Sequence, residues 1–117
     1  MRNDELSIQS KAFALEIIKL VGTLKNKHET IISKQIGRSG TSIGANIHEA
    51  QYAHGTADFI AKLQIALKEA NETGYWLDLL YKAEFISNEE FKRLDVACTS
   101  IRVMLISSIN TAKKKNS

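Results

Sequence analysis

The 117-residue chain contains no proline. Average usage would supply about six. Proline interrupts helices and gathers at turns and sheet edges, so its absence points to long unbroken helices with few connections. Aromatic residues are scarce, at 7%, and β-branched runs are few, which argues against a sheet. A single cysteine, Cys98, excludes an internal disulfide framework and a multi-cysteine metal site. It follows Val96-Ala97 in an apolar helical register, where cysteine behaves as a small core residue. No apolar stretch approaches the roughly 18 residues of a membrane-spanning helix. Met1 to Gln9 carries Asp4 and Glu5 and no apolar run, unlike a signal peptide. The expectation is a cytoplasmic protein with no membrane contact.

Apolar residues make up 44% of the chain and charged residues 25%, with a net charge of +3 and an isoelectric point near 9.0. This is the composition of one globular domain with a real core. The basic balance permits a nucleic-acid partner without requiring one.

Apolar periodicity predicts an all-α, antiparallel up-down-up-down four-helix bundle in one domain, with helices over about 4–25, 30–53, 57–83 and 88–113. Leu6, Phe13, Ile17, Leu20, Val21 and Leu24 make the first stripe. Ile32, Ile36, Ile43, Ile47 and Ala50 make the second, which Gly55 is suited to end with a left-handed cap. Thr56 reads as the N-cap of the third helix, with Asp58 in its first turn. Its stripe runs from Phe59 through Leu63, Ala66, Ala70, Thr73 and Leu77 to Tyr81. Ser87 and Glu90 read as a capping box for the fourth helix. That helix carries Phe91, Leu94, Cys98, Ile101, Leu105 and Ile109, and frays into a lysine tail.

A free-standing bundle needs one apolar stripe per helix. Leu15 and Ile18, with Ile8, lie away from the first stripe; Ile65, Trp76 and Leu79 lie away from the third; Val96, Val103 and Met104 lie away from the fourth. Apolar residues repeated outside a core mark an interface, so the expectation is a homo-oligomer with Leu15, Ile18, Ile65, Trp76 and Leu79 in its contacts.

The second helix holds Gly37, Gly40 and Gly44 at i, i+3 and i+7. A phosphate-binding loop would need glycines leading into a lysine-threonine pair, which is missing, and a dinucleotide fingerprint would need a preceding strand. Inside a helix each glycine costs about 1 kcal/mol relative to alanine. A smooth flank beside the isoleucine stripe would offset this by letting another helix approach closely. Arg38 and Glu49 on the second helix, and Lys68 and Glu72 on the third, are candidates for ion pairs across helices or subunits.

Arg38-Ser39-Gly40-Thr41-Ser42-Ile43-Gly44-Ala45-Asn46-Ile47-His48-Glu49-Ala50 resembles the signature of the four-helix-bundle family encoded in 23S rRNA intervening sequences. The segment from Asp58 to Ala70 and the run Glu72-Thr73-Gly74-Tyr75-Trp76-Leu77 resemble its second signature. The resemblance spans nearly the whole chain. It implies a bacterial antiparallel bundle that assembles as a ring-shaped homopentamer. It also implies a distant relation to the accessory variability proteins of diversity-generating retroelements, which are basic pentamers that bind nucleic acid and work with a reverse transcriptase. The resemblance implies no enzymatic activity.

The residues themselves give catalysis little support, and no cofactor, metal site or catalytic residue is expected. A di-iron bundle needs Glu-x-x-His motifs on two helices, and the chain has none. His28, His48 and His54 lack the i, i+4 spacing of a helical zinc pair. Binding fares better. Lys25, Lys27, Lys34 and Arg38 surround the first turn, and Lys113, Lys114 and Lys115 end the fourth helix at the opposite pole. Five copies would carry five times +3, or +15. Weak, sequence-independent binding of RNA or DNA is one expectation. A protein–protein interaction scaffold with no nucleic-acid role is the other.

Overall fold

A computed structural model describes residues 4–115. Four α-helices fill it: α1 (Asp4–Asn26), α2 (Ile31–Ala50), α3 (Thr56–Lys82) and α4 (Asn88–Lys115). The molecule measures 48 × 21 × 19 Å. The helices form a square, α1 touching α2 and α4, α3 touching α2 and α4, and the diagonal pairs apart. Contacts across each seam run in opposite chain directions, as the pairs Gly40 with Ile17, Thr73 with Ser39, Tyr81 with Phe91, and Arg93 with Glu16 show. The α1–α4 seam is the thinnest. It is bridged by the Arg93–Glu16 ion pair at 2.7 Å and a 3.0 Å bond from Ser100 to Gln9.

The four stripes meet in one core. Leu6, Ile17, Leu24, Ile36, Ile43, Leu63, Leu77, Leu94, Ile101 and Leu105 are all at most 2% exposed. Val21, Ile32, Phe59, Tyr81 and Phe91 close its edges half-buried. Tyr81 and Phe91 stack at 4.7 Å, fixing α3 against the first turn of α4.

The connections hold more chemistry than their letters announce. After α1, the Glu29 N–H bonds back to the Leu24 carbonyl and the His28 N–H to that of Lys25, with His28 left-handed at φ 64°. After α3, the Phe85 N–H reaches Leu80 and the Glu84 N–H reaches Tyr81, with Glu84 at φ 66°. Both are the paired bonds that close a helix on a left-handed residue, with a side chain where glycine is usual. The same Glu29 opens the next helix. Its buried carboxylate accepts the N–H groups of Ile31, Ile32 and Ser33 at 2.7–3.1 Å, satisfying three orphan donors at once. Lys27 Nζ donates to the Phe85 carbonyl at 2.8 Å, tying the two turns of this pole together.

Four details of the expected boundaries change. α2 stops at Ala50, before the expected 53. Gly55 does not cap α2; it is the N-cap of α3, at φ 103° and ψ 176°, an extended conformation open mainly to glycine. Thr56 is consequently inside α3, and Asp58 reaches back to accept the His54 N–H at 3.2 Å. The lysine tail does not fray at Lys113; α4 continues through Lys115. At its start the Ser87 hydroxyl accepts the Glu90 N–H at 3.0 Å, the Ser87 half of the capping box.

Candidate functional site

α2 is the element around which the bundle is seated, because both of its flanks are specialised. On one flank lie its three glycines. A Cβ on Gly40 would sit 2.8 Å from Ile17 Cγ1 and 2.9 Å from Cγ2. On Gly37 it would sit 3.2 Å from Val21 Cγ2, and on Gly44 3.4 Å from the Ser10 carbonyl oxygen. α1 therefore lies where a Gly40 side chain would be, presses close on Gly37, and comes within ordinary contact of Gly44. Two other helical glycines, Gly22 and Gly74, have nothing within 4 Å of such a Cβ.

On the other flank α2 meets α3 through polar groups. Ser39 and Thr73 are fully buried; Thr73 Oγ1 lies 2.9 Å from Ser39 Oγ and 2.8 Å from the Glu69 carbonyl, bonded to both. One turn outward, the Arg38 guanidinium bridges Glu69 at 3.0 Å and Glu72. Glu72 also accepts the Trp76 indole N–H at 3.1 Å. Arg38 is 48% exposed, so solvent screens the pairs and each is worth at most about 1 kcal/mol. Their contribution is register: a bidentate cation between two carboxylates one turn apart holds α3 at one height on α2.

The other candidate ion-pair residues stay apart. Glu49 and Lys68 are exposed, and neither joins this network. Arg38, also a candidate for nucleic acid, has its charge matched by two carboxylates in this bundle. Lys27 is engaged with the Phe85 carbonyl. Lys25 and Lys34 at one end, and Lys113 and Lys115 at the other, are exposed and have no carboxylate partner among the described residues. The two basic clusters sit at opposite ends of a 48 Å bundle, so one protomer does not gather them into a single patch.

The residues expected at an interface divide. Ile8, Leu15, Ile18, Val96 and Val103 are 56–68% exposed and Ile65 is 43% exposed. Leu79, Trp76 and Met104 are half-buried, and the latter two pack on the core. Trp76 lays its ring on the core while its indole N–H donates to Glu72 at 3.1 Å. Sequence reasoning passed over Ile106, 47% exposed beside Val103. Only Arg102 carries charge between Asp95 and Lys113, a sparsity that marks the outer face of α4.

Cys98 is buried, donates to the Ala70 carbonyl at 3.4 Å, and is pushed up to about 11 by desolvation. It is a protonated core thiol. Among the described residues no group of three or more His, Cys, Asp or Glu side chains is placed to hold a metal. No helix there is long and apolar enough to cross a membrane.

Square packing, four antiparallel seams and a glycine-seated second helix define a small all-α four-helix-bundle protein. The chain belongs to the 23S rRNA-intervening sequence protein family, whose model matches residues 3–107. It is similar to a protein of unknown function from the S23 ribosomal protein family of Bacteroides thetaiotaomicron, whose crystal structure is known. The two are 50% identical over 94% of this chain and 99% of that one, with a TM-score of 0.91. No curated protein matches the chain.

Proposed function

We propose that the protein is a non-enzymatic, self-associating helical module that binds nucleic acid through phosphate charge, without reading bases. The observation that carries this reading is the set of lysines at the two poles without carboxylate partners, Lys25 and Lys34 at one and Lys113 and Lys115 at the other. Two or three lysines at one pole bind phosphate only weakly. Copies brought together by the exposed apolar residues of α1 and α4 would repeat each cluster around an assembly. The resemblance to ring-forming relatives makes five copies the expected number. A family description that names a 23S rRNA-intervening sequence fits an RNA-associated role.

Light scattering tests the assembly. Five copies of 13.1 kDa give about 65 kDa, and Leu15→Lys with Ile18→Lys should lower that mass. A wild-type mass of one protomer overturns the reading. Fluorescence anisotropy with single-stranded RNA tests the ligand. Reversing Lys113, Lys114 and Lys115 to Glu should weaken binding to all sequences alike, since phosphate contacts carry no base information. A salt-insensitive protein partner, with no RNA binding at about 50 mM salt, would favour the protein-scaffold reading.

A further inference from the structure

α1 and α4 are neighbouring corners of the square, and each carries an apolar stripe that the core does not use. Ile8, Leu15 and Ile18 on α1 are 56–63% exposed; Val96, Val103 and Ile106 on α4 are 47–68% exposed. The two stripes share one spacing, i, i+7 and i+10, which are a and d positions of a heptad and keep each stripe on one helix face. Charge is sparse along both. Lys11 is the one charged residue in line with the α1 stripe, and Arg102 is the one on α4 between Asp95 and Lys113.

The stripes also stand at the same height. Two contacts set α1 against α4 within the bundle, Gln9 with Ser100 and Glu16 with Arg93. At about 1.5 Å per residue along antiparallel helices, these place Ile8 level with Val103 and Leu15 level with Val96, each within about 3 Å. Both levels hold at once because both stripes step by seven residues. More than half of each of these four side chains is open to solvent, so they are not buried against one another within one protomer. Rotation about an axis along the bundle leaves heights unchanged. Surfaces that meet around a ring must therefore stand level in every copy, and these two do.

Resting on the self-association proposed above, we infer that its contact is head-to-tail: α1 of one copy lies antiparallel on α4 of the next. Ile8 packs on Val103 of the partner subunit and Leu15 on Val96 of the partner subunit. Ile18 and Ile106 extend the seam at its two ends. The occupant of each stripe is a second copy of this chain, because the other stripe has the matching spacing, level and apolar character. Two different surfaces meeting in this way propagate around a ring, whereas like surfaces would stop at a dimer.

Cysteine cross-linking on the full chain tests it. Cys98 is buried and protonated, so it stays silent. Cysteine is itself a small apolar residue and suits the seam. A chain carrying Leu15→Cys and Val96→Cys, oxidised with copper–phenanthroline, should run on a non-reducing gel as a ladder at multiples of 13.1 kDa. So should Ile8→Cys with Val103→Cys. Each of the four single substitutions should leave the chain at one protomer's mass, since in a head-to-tail contact no residue meets its own copy. The crossed pair Leu15→Cys with Val103→Cys is about 13 Å out of level and should not link. Single substitutions that link into dimers overturn the inference, because like surfaces then face each other. So do matched and crossed pairs that link alike, or no ladder from either matched pair. Light scattering separates this inference from the reading it rests on. A missing ladder in a protein whose wild type has the mass of several protomers refutes this seam alone; a wild-type mass of one protomer refutes the self-association with it.

Discussion

Gly40→Ala adds one methyl group, and its effect is decided by Ile17. The added carbon would lie 2.8 and 2.9 Å from the two γ-carbons of that side chain. Both γ-carbons stand on a β-branched centre in a helix, where χ1 is nearly fixed. Ile17 is fully buried between α1 and the core, so relief requires the backbones to move apart. Overpacking of this kind costs about 1–3 kcal/mol. Replacing a helical glycine returns about 1 kcal/mol of backbone propensity. The net expectation is a loss of between zero and about 2 kcal/mol. Gly22→Ala is the matched control, because its methyl enters open space and should stabilise by about 1 kcal/mol. The two variants should therefore differ by about 1–3 kcal/mol, or roughly 4–12 °C in midpoint for a domain of this size. Thermal unfolding followed by circular dichroism at one fixed protein concentration reads the difference. A second comparison isolates the cause. Ile17→Ala removes both γ-carbons, so in that background Gly40→Ala should change sign and stabilise. If Gly40→Ala stabilises the wild-type protein as much as Gly22→Ala does, α1 is not seated on the glycines and the argument fails.

The left-handed residues that close α1 and α3 offer a gain of the opposite kind: His28→Gly and Glu84→Gly should each stabilise by up to about 1 kcal/mol in urea unfolding, since only the non-glycine residue is strained there. Glu29→Ala should cost about 1–2 kcal/mol by the same measurement, because three α2 amides lose their acceptor together. Acid should destabilise the fold through Glu16 and Asp58. The hydrogen bond from Arg93 holds Glu16 below its ordinary 4.5, and the His54 N–H holds Asp58 below its ordinary 3.8. A carboxylate lowered by folding contributes fully above its unfolded value, and the contribution vanishes as pH falls through the folded one. Asp58→Asn and Glu16→Gln should thus lose less stability than wild type between pH 5 and 3; an unchanged acid limb would contradict this.

The stripes of all four helices were legible because burial imposes a helical period on leucine and isoleucine. Gly37, Gly40 and Gly44 were legible too: three glycines on one flank of a helix have a cost that only close approach offsets. Arg38 illustrates a limit. Its charge was visible, but its height on α2 relative to Glu69 and Glu72 depends on the α2–α3 register, which period alone does not set. Trp76 illustrates a related limit, since angular position says nothing about the indole N–H finding Glu72. The caps failed differently. Gly55 carries the glycine signal of a helix end yet starts one, and Glu29 caps α2 from a position before the usual Ser or Thr. His28 and Glu84 hold positions where glycine is the expected letter. Such places are set by hydrogen-bond geometry in the turn, which the sequence pattern does not encode.

The proposal of a charge-driven nucleic-acid module is tested most directly by the salt dependence of RNA affinity. One protomer's basic tail, three lysines, would give a slope of log K against log salt near about −2 on single-stranded RNA. An assembly presenting several copies of each pole should give a slope at least about twice as steep. A slope near zero, or no binding at low salt, would contradict the account.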